Sequence, residues 1–273
     1  MATVNYAEKY ANIVDERFKL GSLTASLVNQ NFDWIGVETV KVFSRALTTL
    51  NDYNLTGANR YGTPDELGNA VQEMKITQDK SFTYTIDKKT QQDTNGTMEA
   101  AATLRENIDN LVIPAMDKYR LGVIAGKAAH VVTKAVTKEN AYEEFLAVQE
   151  KLDDAKAPTG GRVCICTPAY HNFLKLDESF TKVGDMATQI AIKGLVGEVD
   201  GVLVFKAPTS YFPADVDFII TNPIASPSPV KLQEFKIHDD APGISGYLVE
   251  ARVRYDCFVL DQKKEAIGVH KGK

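Results

Sequence analysis

MKITQDKSFTYTID, residues 74–87, sets Met74, Ile76, Phe82, Tyr84 and Ile86 on one parity and Lys75, Thr77, Asp79, Ser81, Thr83, Thr85 and Asp87 on the other. Only Gln78 and Lys80 break the pattern. Alternation with period two is what a strand with one buried and one wet face requires. At ~3.3 Å per residue one strand over this range would reach roughly 45 Å, against an ordinary ~17–20 Å. A two-stranded ribbon of that reach is not stable alone in water. It needs a surface to lie on, and a neighbouring subunit is the natural one.

Upstream, ETVKVFSRA (residues 38–46) predicts another strand, with Val40, Val42 and Ser44 on one side and Arg45 on the other. Residues 47–72 between the two are rich in Asn, Gly, Thr and Asp and hold little that could fill a core. Inside them Thr63-Pro64-Asp65-Glu66 is a capping box with proline at the first helical position, which predicts one short helix. Connections of this length inside a compact domain usually bind something. Near the start, Tyr6, Tyr10, Ile13 and Phe18 recur at helical spacing behind a capping Asn5 and ahead of Gly21, predicting a short helix. It either docks on its own core, the simpler reading, or serves as an arm on a neighbour.

Downstream, Leu104, Ile108, Leu111, Ala115, Tyr119 and Val123 form one helical stripe across residues 97–136, with Pro114 inside it as a kink or break. A further helix over 138–156, capped by Thr137, turns Tyr142, Phe145, Val148 and Leu152 inward and Glu143, Glu144, Asp153 and Lys156 outward. Past Pro158 come short apolar strands, RVCICT, VDGVLVFKAP and VDFIITN, with a helix-like PAYHNFLKL at 168–176. The run with Pro223, Pro227 and Pro229 reads as a rigid turn. GYLVEARVRYDCFVLD then opposes Tyr247, Val249, Ala251, Val253, Tyr255 and Cys257 to Glu250, Arg252, Arg254 and Asp256, a second long strand with one wet face.

The 273 residues are 44% hydrophobic and 25% charged, which excludes disorder, collagen and pure coiled coil. With 31 Lys plus Arg against 36 Asp plus Glu the net charge is -5, against the basic surface of a protein whose main task is gripping nucleic acid. No apolar run of ~20 residues could span a bilayer, and the first residues do not read as a secretory signal. Three cysteines are no disulfide framework. A soluble, cytoplasmic chain is expected.

No catalytic constellation stands out. Gly122 to Ala128 mimics a phosphate loop, but its glycine spacing is one short and Ala128 sits where Ser or Thr must reach magnesium. Cys164 and Cys166 share one strand face, and His171 and Cys257 could complete four zinc ligands, yet buried reduced thiols are the simpler reading. His130, His171, His238 and His270 lack any HxxxH or HExxH spacing. Asp215 and Asp217 lack further oxygen ligands nearby for calcium, and Asp239-Asp240 read as solvated.

The order of elements is more telling than any motif. DWIGVETVKVFSRALTTLNDYN, RYGTPDELGNAVQEMKITQDKSFTYTID, ENIDNLVIPAMDKYR, GEVDGVLVFKAP and GYLVEARVRYDCFVLDQKKEAIGV together resemble the major capsid proteins of tailed bacteriophages, whose shell fold is shared with encapsulins and the herpesvirus capsid floor. The resemblance spans nearly the whole chain. It implies an α+β fold with an N-terminal arm (1–35) and a peripheral strand with extended loop and long strand (36–96; loop about 47–72, strand 74–87). A spine helix (97–137), an axial domain (138–240) and a C-terminal peripheral strand with tail (241–273) complete it. It implies a non-enzymatic subunit that self-assembles into an icosahedral shell of hexamers and pentamers around double-stranded DNA, without a cofactor, metal or membrane. Arg60, Tyr61, Asp65 and Glu66 become inter-subunit contacts of the extended loop, and a separate scaffolding protein and a portal become partners. The location implied is the virion, assembled in the cytoplasm of the bacterial host.

Two departures from relatives stand out. Some relatives weld subunits by a Lys–Asn isopeptide bond from an extended-loop lysine, but no lysine lies between Lys41 and Lys75, so a non-covalent shell is expected. Others carry a long cleavable scaffold ahead of the arm, and about 35 residues are too few for one. An encapsulin-type nanocompartment is the alternative of the same class. An α/β enzyme built on Cys164, Cys166 and His171 is the alternative of another.

Overall fold

The computed structural model describes residues 22–29, 31–32, 39–64, 66–93, 99–177, 195–239 and 241–272. In chain order these form β1 (Thr39–Arg45), β2 (Asn69–Lys75), β3 (Gln78–Asp87), α1 (Lys88–Asp93), α2 (Ala100–Asn107), a π-helical turn (Ile108–Val112), α3 (Ile113–Gly126), β4 (His130–Thr133) and α4 (Ala141–Asp154). There follow β5 (Val163–Cys166), α5 (Pro168–Leu176), β6 (Leu195–Val199), β7 (Val202–Lys206), β8 (Val216–Thr221), β9 (Val230–His238), β10 (Gly246–Tyr255) and β11 (Ile267–Lys271). The expected helix of residues 6–18 lies outside the described residues.

The strands sort into three sheets: a hairpin β1-β2, a three-stranded β3-β10-β9, and a six-stranded β4-β11-β8-β5-β7-β6. The class is α+β, as expected. The six-stranded sheet is covered on both faces. Cys164, Cys166, Phe218 and Ile220 meet Phe145, Val148 and Leu152 of α4 and Tyr170 and Leu174 of α5 on one side. Ile165, Ile219, Ile267 and Val269 meet Leu121 and Ile124 of α3 on the other, with Leu23 and Leu27 of the first described segment. Burial on both faces is why VCIC reads as an unbroken apolar run rather than an alternation. β6 and β7 are joined by Asp200-Gly201, both at positive φ (48° and 75°), the tight turn whose twist suits a hairpin.

In the smaller sheet Ile86, Val249 and Ala251 pack on Ala100 and Leu104 of α2. The opposite face is wet and holds a forked ion pair, Arg252 Nε to Asp79 Oδ1 at 3.0 Å and Nη2 to Oδ2 at 2.6 Å. Being exposed, it adds little to stability.

Several boundaries differ from the sequence reading, each for a physical reason. Residues 74–87 are two strands, not one: β2 pairs with β1, and β3 pairs with β10, the chain changing sheets at Ile76-Thr77. The extended loop is 46–68 rather than 47–72, because Asn69 already pairs with Arg45. Thr63-Pro64 and Glu66 to Gly68 are not helical, since β2 starts at once and no apolar face follows for a helix to bury. The spine ends at Gly126 instead of 137, and 130–133 is edge strand β4.

Pro114 does not break that spine. It follows the π-helical turn, where Ile113 N–H reaches Ile108 O, so the wider turn absorbs the proline. β9, inside the range expected for the axial domain, joins the smaller sheet, while β11, expected as a peripheral tail, sits inside the larger one. Glu144, expected outward, is 2% exposed, and Asp256, expected on a wet face, is also 2% exposed.

Candidate functional site

The hairpin leaves the body with its apolar residues bare. Leu47 is 96% exposed, Leu55 81%, Tyr61 84% and Leu67 60%, and Leu50 is fully exposed. Along the paired arms Phe43 stands opposite Val71, and both also face solvent. Isolated exposed apolar residues are ordinary, but so many large ones on a single hairpin point to a docking surface. At ~25 cal/mol per Å², covering such a set is strongly favourable.

The tip is shaped before anything covers it. Ala46 N–H donates to Gly68 O at 2.9 Å, Asn54 N–H to Arg60 O at 3.0 Å, and Gly62 N–H to Asn59 O at 2.9 Å. The rings of Tyr53 and Tyr61 meet edge-on at 4.9 Å. Gly62 has φ +92°, and a Cβ there would land 2.5 Å from the Asn51 side chain, so the turn needs glycine. A tip held in one conformation loses less entropy on docking. Arg60, an expected contact, turns its Nε back onto Gly57 O at 3.4 Å, while Tyr61 and Glu66 are exposed. Asp65 lies outside the described residues.

At its base the hairpin is fastened. Met74 and Ile76 are buried against Leu260. Gln72 Nε2 donates to Val259 O at 2.8 Å and its Oε1 accepts from Asp261 N–H at 3.0 Å. At the change of sheet the Asp256 carboxylate accepts four hydrogen bonds. Thr77 N–H and Oγ1 donate to Oδ2 at 2.7 and 2.9 Å, and Tyr119 OH and Cys257 N–H donate to Oδ1 at 2.8 and 2.7 Å. Burial first, and then the bond to this carboxylate, push the Tyr119 hydroxyl up to about 12.

The same polar seam reaches the first described residues. Ser228 Oγ donates to Asp256 O and accepts from Arg120 Nε, both within 2.9 Å. Asp117 takes Ser22 Oγ, Leu23 N–H and Thr24 Oγ1 at 2.8, 2.9 and 2.6 Å. These bonds, with Leu23 and Leu27 buried, tie residues 22–29 to the body of the fold. Nothing in the residue pattern signalled Asp256, because it sits in phase with the exposed charges Glu250 and Arg252.

The thiols are poor chemistry. Cys164, Cys166 and Cys257 are buried and free, and burial pushes all three upward, Cys166 and Cys257 to about 12. Burial, then Lys175 and Lys206, lower His171 to about 4, so it stays neutral at neutral pH. Among the described residues no three His, Cys, Asp or Glu side chains are grouped to hold a metal ion. A second buried polar group, absent from the sequence reading, surrounds His270. Its Nδ1 lies 3.1 Å from Asp217 Oδ2 and its Nε2 3.5 Å from Glu144 Oε2, and Glu144 also pairs with Lys134. His270 stacks on Phe218 at 5.0 Å, so this cluster fastens β11 to α4 and β8.

No family model and no curated protein sequence matches the chain. Solved structures do. A chain of the capsid structure of the cyanophage P-SCSP1u is similar at TM-score 0.76 and 13% identity, over 98% of this chain and 93% of that one. A chain of Mycobacterium phage Che8 is similar at TM-score 0.72 and 17% identity, over 98% of each. A chain of the bacteriophage PhiM1 mature capsid is similar at TM-score 0.71 and 11% identity, over 100% and 97%. Whole-chain likeness at such low identity shows that the fold is held in common.

Proposed function

We propose that this chain, which has the fold of those phage capsid chains, is a structural subunit that assembles into an icosahedral shell around the double-stranded DNA of a tailed phage or prophage. The observation that carries the reading is the hairpin: a shaped tip on fastened arms, presenting Leu47, Leu50, Leu55, Tyr61 and Leu67 to solvent. A side chain that is bare in the lone subunit gains only when a neighbour covers it. In the shell the tip lies over the adjacent subunit, with Tyr61 as its apolar anchor and Arg60, Asp65 and Glu66 at the polar rim. The six-stranded sheet with α4 and α5 is the axial part that meets its copies in hexamers and pentamers. The three-stranded sheet with α2 and α3 is the peripheral part.

A net charge of -5 suits a wall that encloses DNA and touches it without sequence preference. A separate scaffolding protein and a portal complete the partners, in a virion put together in the host cytoplasm. The neighbouring structures come from phage particles, which favours the phage shell over an encapsulin-type compartment. The suppressed thiols weigh against the enzyme alternative.

Sizing and negative-stain imaging of the purified chain test this. Rings or closed shells at high concentration are expected, without bound zinc. Discrete monomers or dimers at every concentration would overturn the reading.

A further inference from the structure

The outer edge of β9 has no strand beside it among the described residues, and Gln233 to Asp239 are exposed on both faces. Such an edge carries a row of backbone donors and acceptors ready to pair with another strand. Phe235 and Ile237 lie opposite Ala251 and Val249 of β10, on the face that α2 covers, yet they remain 37% and 41% exposed because they lie at its margin. The edge is therefore open in its backbone and apolar along one side.

Its sequence reads as its own complement. We propose that β9 pairs antiparallel with β9 of a second copy across a two-fold axis through Phe235, joining two three-stranded sheets into one of six. Antiparallel pairing about residue 235 sets Glu234 opposite the partner's Lys236 and Lys236 opposite the partner's Glu234. Within one strand these two already lie 3.7 Å apart, so four charges alternate around the axis. On the apolar side Phe235 meets its own copy, flanked by Ile237 against Gln233.

The adjacent registers fail on the same grounds, and centring on Gln233 or Ile237 leaves Glu234 and Lys236 without each other as partners across the axis. Centring on Glu234 faces carboxylate against carboxylate, and centring on Lys236 faces ammonium against ammonium, both unfavourable directly across strands. Centring between residues sets the apolar face of one copy level with the polar face of the other. An unrelated strand is met by the lysines that commonly blunt an edge. This surface uses no residue of the hairpin, and it goes beyond the shell reading, since a two-fold contact joins copies whatever rings they build.

Cysteine scanning reads the register directly, because the native thiols are buried. Opposed residues of antiparallel strands have Cα atoms ~4.5–5.5 Å apart, within disulfide range. Under mild oxidation with copper phenanthroline, Phe235→Cys is expected to form a dimer of twice the chain mass. Gln233→Cys or Ile237→Cys alone is expected not to, while an equal mixture of the two cross-links. In the Phe235→Cys background, Glu234→Lys or Lys236→Glu lowers the dimer yield at least fivefold, and the double exchange restores it. No cross-link at 235, self-linking of 233 as strong as that of 235, or no rescue by the double exchange would each overturn the proposal. Cross-linking without any shell would count against the shell reading alone.

Discussion

Replacing residues 47–67 by a short Gly-Ser turn is expected to abolish shell closure while leaving the subunit folded. The segment adds almost nothing to the core: its leucines and Tyr61 are exposed, and the last backbone bond below it, Ala46 to Gly68, stays. Surface changes away from buried features typically shift stability by ~0.5 kcal/mol or less, which corresponds to a melting shift of about 2 °C at this size. Assembly responds very differently. Each subunit makes several weak contacts at once, so losing one from every copy multiplies through the whole shell. The expected outcome is a soluble oligomer or monomer with an unchanged melting temperature and no closed particles by sedimentation. Normal particles from the shortened chain would show that the tip is not an assembly contact.

Asp256→Ala is expected to be the most damaging single substitution, at about 3 kcal/mol or more. Its carboxylate is buried and is the shared acceptor of Thr77, Tyr119 and Cys257. Removing it strands several donors at once, each costing ~1–3 kcal/mol when no water replaces the acceptor. At ~2–4 °C per kcal/mol that is a fall of roughly 6–12 °C in melting temperature. Tyr119→Phe removes one donor and keeps the acceptor, so a loss of about 1 kcal/mol is expected. Hydrogen exchange should locate the damage, with Thr77 and Cys257 losing protection before the α4 amides. Equal stability of Asp256→Ala and Tyr119→Phe would mean that the carboxylate does not organise the junction.

Both substitutions touch features that the residue pattern showed only in part. Alternation marks faces, and the faces of β3 and β10 were legible, down to Phe82, Tyr84 and Ile86 against the α2 side. Alternation does not mark partners. Ile76 and Thr77 keep the parity of their neighbours while the chain passes from one sheet to another, so the junction looked like the middle of one long strand. Asp256 and Glu144 were misplaced for a related reason. Each follows the phase of exposed charges, and only tertiary partners, Thr77 and Tyr119 for one and His270 and Lys134 for the other, bring it inside.

The hairpin was legible as a long polar connection, and its need for a neighbour was argued from reach. The exposed leucines and tyrosines press that need harder, and composition hides them among asparagines and glycines. β4 and β11 were missed because strands of four or five residues, one at the edge of the six-stranded sheet and one buried inside it, carry too little pattern to separate from a helix end or a tail.

The most direct test of the account is a reconstruction of the assembled particle at side-chain detail. The 46–68 tip of each subunit is expected to lie on its neighbour, with Leu50, Leu55 and Tyr61 covered and the Tyr53–Tyr61 pair unchanged. Particles in which those side chains still face solvent would contradict it.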